Sequence, residues 1–178
     1  GEAWAQSMMG QWYLEGRHGL KQSNVMAAML IEKAVAQGDP EAMFDLACLY
    51  QDGQGVVQSF KKAVELYTMA TEQGHVRAMY NLGNGYRDGK GVLQSYTKAA
   101  ELYTMAAEQG YVDAMTNLGV MYIQGQGVDQ SNEIAREWLT KAADEGNENA
   151  IKALKLLNRL EKLDGKSTTT TAPTTTTA

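Results

Sequence analysis

Residues 78–86 read Ala-Met-Tyr-Asn-Leu-Gly-Asn-Gly-Tyr, and the frame Ala-x-x-x-Leu-Gly-x-x-Tyr within them recurs along the chain. It returns as Ala42, Leu46, Ala47 and Tyr50, and again as Ala114, Leu118, Gly119 and Tyr122. Spacings of three and four put these residues on one stripe of a helix, the stripe that faces a core. A weaker copy, Ala5, Met9, Gly10 and Tyr13, comes first, and its loop Gly16-Arg17-His18-Gly19 is one residue longer than the later Gly53-Gln54-Gly55. Further out, Gly38, Gly74, Gly110 and Gly146 lie 36 residues apart. A fixed period of this length marks a solenoid, in which stacked copies of a small unit bury a shared core. The repeats number four, the first divergent.

After each first helix comes a glycine pair, Gly53/Gly55, Gly89/Gly91 or Gly125/Gly127, suited to a tight reversal. Four residues past the second glycine stands Ser23, Ser59, Ser95 or Ser131, able to accept the orphan amides that open a second helix. That helix carries Ala63, Leu66, Tyr67 and Ala70, then Ala99, Leu102, Tyr103 and Ala106, then Ala135, Trp138, Leu139 and Ala142. Trp4 and Trp12 also sit at core spacing and read as packing. A unit of this size cannot bury enough surface to fold alone, so stability comes from its neighbours. Past Gly146, Ile151, Leu154, Leu157 and Leu160 predict one more helix over 150–163, ending near Asp164-Gly165. Lys152, Lys155, Arg159 and Lys162 solvate its outer side, as a capping element requires.

Residues 62–74, Lys-Ala-Val-Glu-Leu-Tyr-Thr-Met-Ala-Thr-Glu-Gln-Gly, together with Gly53-Gln54-Gly55-Val56 before them, resemble the Sel1-like repeat family, relatives of the tetratricopeptide repeats. The likeness spans roughly residues 3–150 and recurs four times. It implies an all-α, right-handed α-solenoid over 1–165, with repeats at about 5–41, 42–77, 78–113 and 114–149 and a cap helix at 150–163. Two features depart from the family: serine stands at Ser59, Ser95 and Ser131 where aspartate is frequent, and the lone Cys48 excludes the disulfide-stapled branch. The resemblance implies a non-enzymatic scaffold or adaptor whose first helices line a concave face. The residues displayed there are then Phe44, Tyr80 and Thr116, with Asp45, Asn81 and Asn117 beside them and Cys48, Asn84 and Val120 one turn on. Asn81 and Asn117 resemble the groove asparagines that hold an extended peptide in tetratricopeptide relatives. Alternatively they satisfy local backbone groups or water, and Phe44 and Tyr80 are partly buried between helices.

Sixteen basic residues against 21 acidic ones give a formal charge of −5, and no basic cluster marks any helix face, which argues against nucleic-acid binding. No stretch approaches the roughly 20 apolar residues of a membrane span. The chain opens at Gly1, compatible with a processed or a trimmed protein. The two histidines, His18 and His75, fall in predicted turns and Cys48 is alone, so no metal-ligand spacing or Cys/His nucleophile pair is present and no cofactor is expected. Gly85-Tyr86-Arg87-Asp88-Gly89-Lys90-Gly91 lacks the Walker spacing and the Ser or Thr after the lysine. Asp45, Asp88 and Glu101 have no paired, desolvated setting that would support acid–base work.

Residues 166–178 form an extended Thr-rich tail. Threonine with proline over this stretch disfavours helix and matches acceptors of O-linked sugars, at Thr168, Thr169, Thr170, Thr171, Thr174, Thr175, Thr176 and Thr177. That composition points to an extracellular or secretory setting; a plain linker in a cytoplasmic protein is the alternative. Two functional classes follow. One is a structural subunit whose copies associate, head to tail into a fibre in the extreme case, with glycans on the tail. The other is an intracellular adaptor holding a partner peptide in its concave groove.

Overall fold

The computed structural model describes residues 2–167, with side chains through residue 163. Among the described residues there are nine helices and no strand: α1 (Glu2–Glu15), α2 (Asn24–Val35), α3 (Pro40–Asp52), α4 (Phe60–Glu72), α5 (Val76–Asp88), α6 (Tyr96–Glu108), α7 (Val112–Gln124), α8 (Asn132–Asp144) and α9 (Glu148–Ser167). The first eight pair as four hairpins that stack in chain order, with α9 against α8.

The helix boundaries have local causes. Ser23, Ser59, Ser95 and Ser131 accept the amides of Met26, Lys62, Lys98 and Ile134, each at 3.3 Å, and so start the second helix of every hairpin. Asp39 caps α3, and His75 caps α5 by accepting the Ala78 amide on Nδ1 at 3.1 Å. The His75 proton therefore sits on Nε2, which donates to Glu41 at 3.0 Å. Asn147 accepts the amides of Asn149 and Ala150, which starts α9 at Glu148 rather than at Ala150. The helix also runs through Asp164-Gly165, where the sequence reading ended it. One interior glycine costs only about 1 kcal/mol, too little to stop a helix without a capping contact. Of the tail read at 166–178, Lys166 and Ser167 belong to α9 and residues 168–178 lie outside the described residues.

Each first helix buries two sides. Ala42, Leu46 and Leu49 of α3 pack on Ala28, Ile31 and Ala34 of α2 in the preceding hairpin. The small residue one turn away lets a helix meet its own partner: a Cβ on Gly83 would lie 2.7 Å from the Tyr103 ring, and one on Gly119 2.6 Å from Leu139 Cγ. Loop glycines join the hairpins. A Cβ on Gly55, Gly91 or Gly127 would run into the backbone of Asn24, Phe60 or Tyr96, at the start of the preceding hairpin's second helix.

The first hairpin corrects part of the sequence reading. Ala5 is exposed, Met9 is 42% exposed and Trp4 62% exposed, so none of the described residues packs over that side of α1. On α9, Leu157 is buried, but Ile151 and Leu160 share the outer surface with the lysines.

Gly19 and Gly91 hold the same loop position, with φ of 78° and 77°, but nothing lies within 4 Å of a Cβ built on Gly19. Gly91→Ala is predicted to destabilise the fold by more than about 2 kcal/mol, from positive-φ strain plus the backbone clash, and Gly19→Ala by the strain alone, about 1 kcal/mol. Urea denaturation of the two variants checks the difference.

Candidate functional site

The second helices send two tyrosines between the first helices, Tyr67 from α4 and Tyr103 from α6, both fully buried. The Tyr67 hydroxyl is a node: it contacts Cys48 Sγ at 3.3 Å, donates to Gln51 Oε1 at 3.3 Å and accepts from Asn81 Nδ2 at 3.1 Å. Tyr103 donates to Asn84 Oδ1 at 2.7 Å. One repeat later the corresponding second-helix residue is Leu139 and the corresponding first-helix residue is Val120, so an apolar pair replaces a polar one.

Burial pushes the Tyr103 hydroxyl up to about 12 and raises the Tyr67 hydroxyl further, so both stay neutral hydrogen-bonding groups. Burial also raises the Cys48 thiol, against its hydrogen bond to Tyr67. A thiol held protonated in this way is a poor nucleophile.

Between α3, the start of α4 and α5 lies a cleft of about 400 Å³. It is lined by Gln51 and Asp52 of α3, by Phe60, Ala63, Val64 and Tyr67 of α4, by Asn81, Asn84, Gly85, Arg87 and Asp88 of α5, and by Gln58 and Lys90. Arg87 Nε donates to Asp88 Oδ1 at 2.8 Å, and that bond holds the Asp88 carboxyl below its usual range. Lys90 Nζ lies 3.8 Å from the same carboxylate. No group of three or more His, Cys, Asp or Glu that could hold a metal ion occurs among the described residues.

Of the residues expected on display, Asn81 and Asn84 line the cleft and Cys48 touches its central hydroxyl. Phe44 and Thr116 are not displayed. Phe44 is 4% exposed, stacked on His75 at 4.8 Å with the Arg77 guanidinium 4.3 Å from its ring centre. Thr116 is 7% exposed and its hydroxyl donates to the Val112 carbonyl at 3.1 Å. Tyr80 is half-buried against Tyr103 and Tyr111, Val120 is half-buried, and Asn117 has a buried Nδ2 with no hydrogen-bond partner. Asp45 accepts from Gln11 of the preceding hairpin at 2.9 Å. Sequence reasoning missed Gln51, Arg87 and Gly85; the repeat register was the available signal, since Gly85 falls in a column of large apolar residues.

Stacked helical hairpins with a polar cleft across their first helices define a protein-interaction solenoid. Residues 5–39, 40–75, 76–111 and 112–147 each match the Sel1 repeat, and the chain belongs to that family, whose members mediate protein–protein interaction. A protective antigen present in uropathogenic Escherichia coli strains, displaying an SLR fold, is 34% identical with a TM-score of 0.81, over 83% of this chain and 32% of that one. A Sel1 repeat protein from Oxalobacter formigenes is 31% identical with a TM-score of 0.79, over 83% of this chain and 60% of that one. Cysteine rich protein B of Helicobacter pylori is 26% identical with a TM-score of 0.56, over 69% of this chain and 93% of that one. The chain thus spans about a third and three-fifths of the first two relatives' lengths. No curated protein matches it.

Burial raises the Asp45 carboxyl above its ordinary 3.8, outweighing the Gln11 hydrogen bond; Glu41 adds to the rise, and Arg77 and His75 oppose it. The folded state therefore binds this proton more tightly than the unfolded chain. The resulting penalty is absent below the unfolded pKa and grows as pH rises through the folded one. Asparagine stands in this column at Asn81 and Asn117, and its carbonyl can still accept from Gln11. Asp45→Asn is predicted to raise Tm at about pH 7, with the gain shrinking towards zero near pH 3, as read by thermal melts across pH.

Proposed function

We propose that this chain is a non-enzymatic interaction module that holds an extended segment of a partner protein in the cleft between α3 and α5. One observation carries the reading. Gln51, Asn81 and Asn84 each spend one arm of the amide on a tyrosine hydroxyl, while Gln51 Nε2, Asn81 Oδ1 and Asn84 Nδ2 have no partner among the described residues. The tyrosines fix the amides in place, so two donors and an acceptor face the cleft at little further cost in side-chain entropy. An extended backbone offers the alternating N–H and C=O groups that such a set pairs with.

The test uses peptides selected from a random phage-displayed library on the full chain. Asn84→Asp keeps the acceptor for Tyr103 and removes the free donor, and Gln51→Glu does the same for Tyr67. Each is predicted to weaken the selected peptides about fivefold with the melting temperature little changed, since one hydrogen bond contributes roughly 1 kcal/mol. Undiminished binding to both variants contradicts the reading.

Self-association is a second reading, favoured by the exposure of Trp4 and Met9 on α1 among the described residues. Between Glu2 and Glu15 that helix carries no charge. A secretory setting with O-linked sugars on Thr168–Thr171 and Thr174–Thr177 completes this reading and is supported by composition alone. Native mass spectrometry of protein from its natural source is predicted to show a two-chain species carrying hexose or pentose increments. A single unmodified chain at every concentration contradicts both parts.

A further inference from the structure

In the 36-residue register, Gly85 shares a column with Leu49, Met121 and Leu157, and Trp12 holds the place in the longer first repeat. Leu49 and Met121 are each 3% exposed and Leu157 0%. Leu49 shares a core with Ala28, Ile31 and Ala34 of α2, and Met121 with Ala99 and Ala106 of α6, so there the position is a buried plug between a first helix and the second helix before it. At Gly85 the plug is missing, and the cleft of about 400 Å³ lies over it.

Packing does not demand this glycine. A Cβ on Gly83, two residues earlier, would press on the Tyr103 ring at 2.7 Å, whereas one on Gly85 would meet Val64 Cγ2 at 3.5 Å and the Lys90 carbonyl at 3.6 Å, ordinary contacts. Gly85 is also in the interior of α5, where glycine is a poor helix former, and its φ is not positive. The free chain therefore gives up helix propensity and a buried side chain at this one place, and nothing within the fold compensates.

We infer that the slot over Gly85 is an anchor pocket for one leucine or methionine side chain of the bound segment, an inference that rests on the peptide-holding reading of the cleft. The chain itself supplies the pocket's complement, since Leu49, Met121 and Leu157 fill the equivalent slots. Ala63, Val64 and the Tyr67 ring contribute apolar lining beside Gly85. At the mouth, Asp52 and Asp88 balance Arg87 and Lys90, and both bases lie against Asp88, so no net charge favours an acidic or basic anchor. Asn81 and Asn84 stand where they can bond the backbone beside the anchor.

Filling the slot from within tests the inference. Gly85→Leu restores the plug and is predicted to raise the melting temperature while weakening library-selected peptides at least about 100-fold. Gly85→Ala, which fits without rearrangement, is predicted to be at least as stable as the parent and to bind with an intermediate loss. It keeps the test decisive if the leucine variant folds poorly. Selected peptides are predicted to share one leucine or methionine at a fixed position, and alanine there to cost roughly 30-fold. Peptides that lose affinity on Asn84→Asp but tolerate both Gly85 variants and the alanine change overturn the anchor and leave the cleft reading standing. Peptides indifferent to Asn84→Asp and Gln51→Glu as well overturn both.

Discussion

The structure depends on the close approach of each loop glycine to the opening turn of the previous hairpin's second helix. Gly55, Gly91 and Gly127 lie so near the backbone of Asn24, Phe60 and Tyr96 that no side chain fits between. A hairpin of two short helices cannot close a core by itself. These contacts set the stagger at which Ala42, Leu46 and Leu49, for example, come to rest on α2 and share its core. Stability is consequently a property of neighbouring pairs.

A lattice of this kind makes departures from the period informative. The column of Ile31, Tyr67, Tyr103 and Leu139 is a set of core plugs, but only the two tyrosines carry a hydroxyl through to the first-helix face. Where they do, the facing residues are Cys48, Asn81 and Asn84, and where leucine replaces them the facing residue is Val120. Gly85 departs in the opposite sense, removing bulk beside the same hydroxyls. Polar anchoring and missing volume thus coincide across the second and third hairpins, against rigid elements that hold a binding site in shape.

The fold was legible in the sequence because backbone geometry wrote it there at regular intervals. Positive-φ glycines, serine caps and a stripe of Ala, Leu and Tyr are each local signals, and the period multiplied them. The cleft was legible in part. Asn81, Asn84 and Cys48 follow from counting along a first helix, but counting does not say how far a side chain leans into its neighbours. Phe44 shares a column with half-exposed Tyr80, yet His75 and Arg77 cover its ring. The α1 stripe has core spacing, yet Ala5 and Met9 in it are exposed. In the Gly85–Gly91 stretch Gly85 looks like the loop glycines after it; only comparison down its own column, with its buried leucines and methionine, shows that a plug is absent.

The most direct test of the account is an NMR titration of the labelled chain with a selected peptide, following side-chain NH2 and backbone amide signals together. The account predicts concerted shifts of the Gln51, Asn81 and Asn84 side-chain amides and of the Gly85 backbone amide, while the amides of α8 stay in place. Shifts gathered instead on the outward faces of α4 and α6, with those three side chains and Gly85 unmoved, would contradict it.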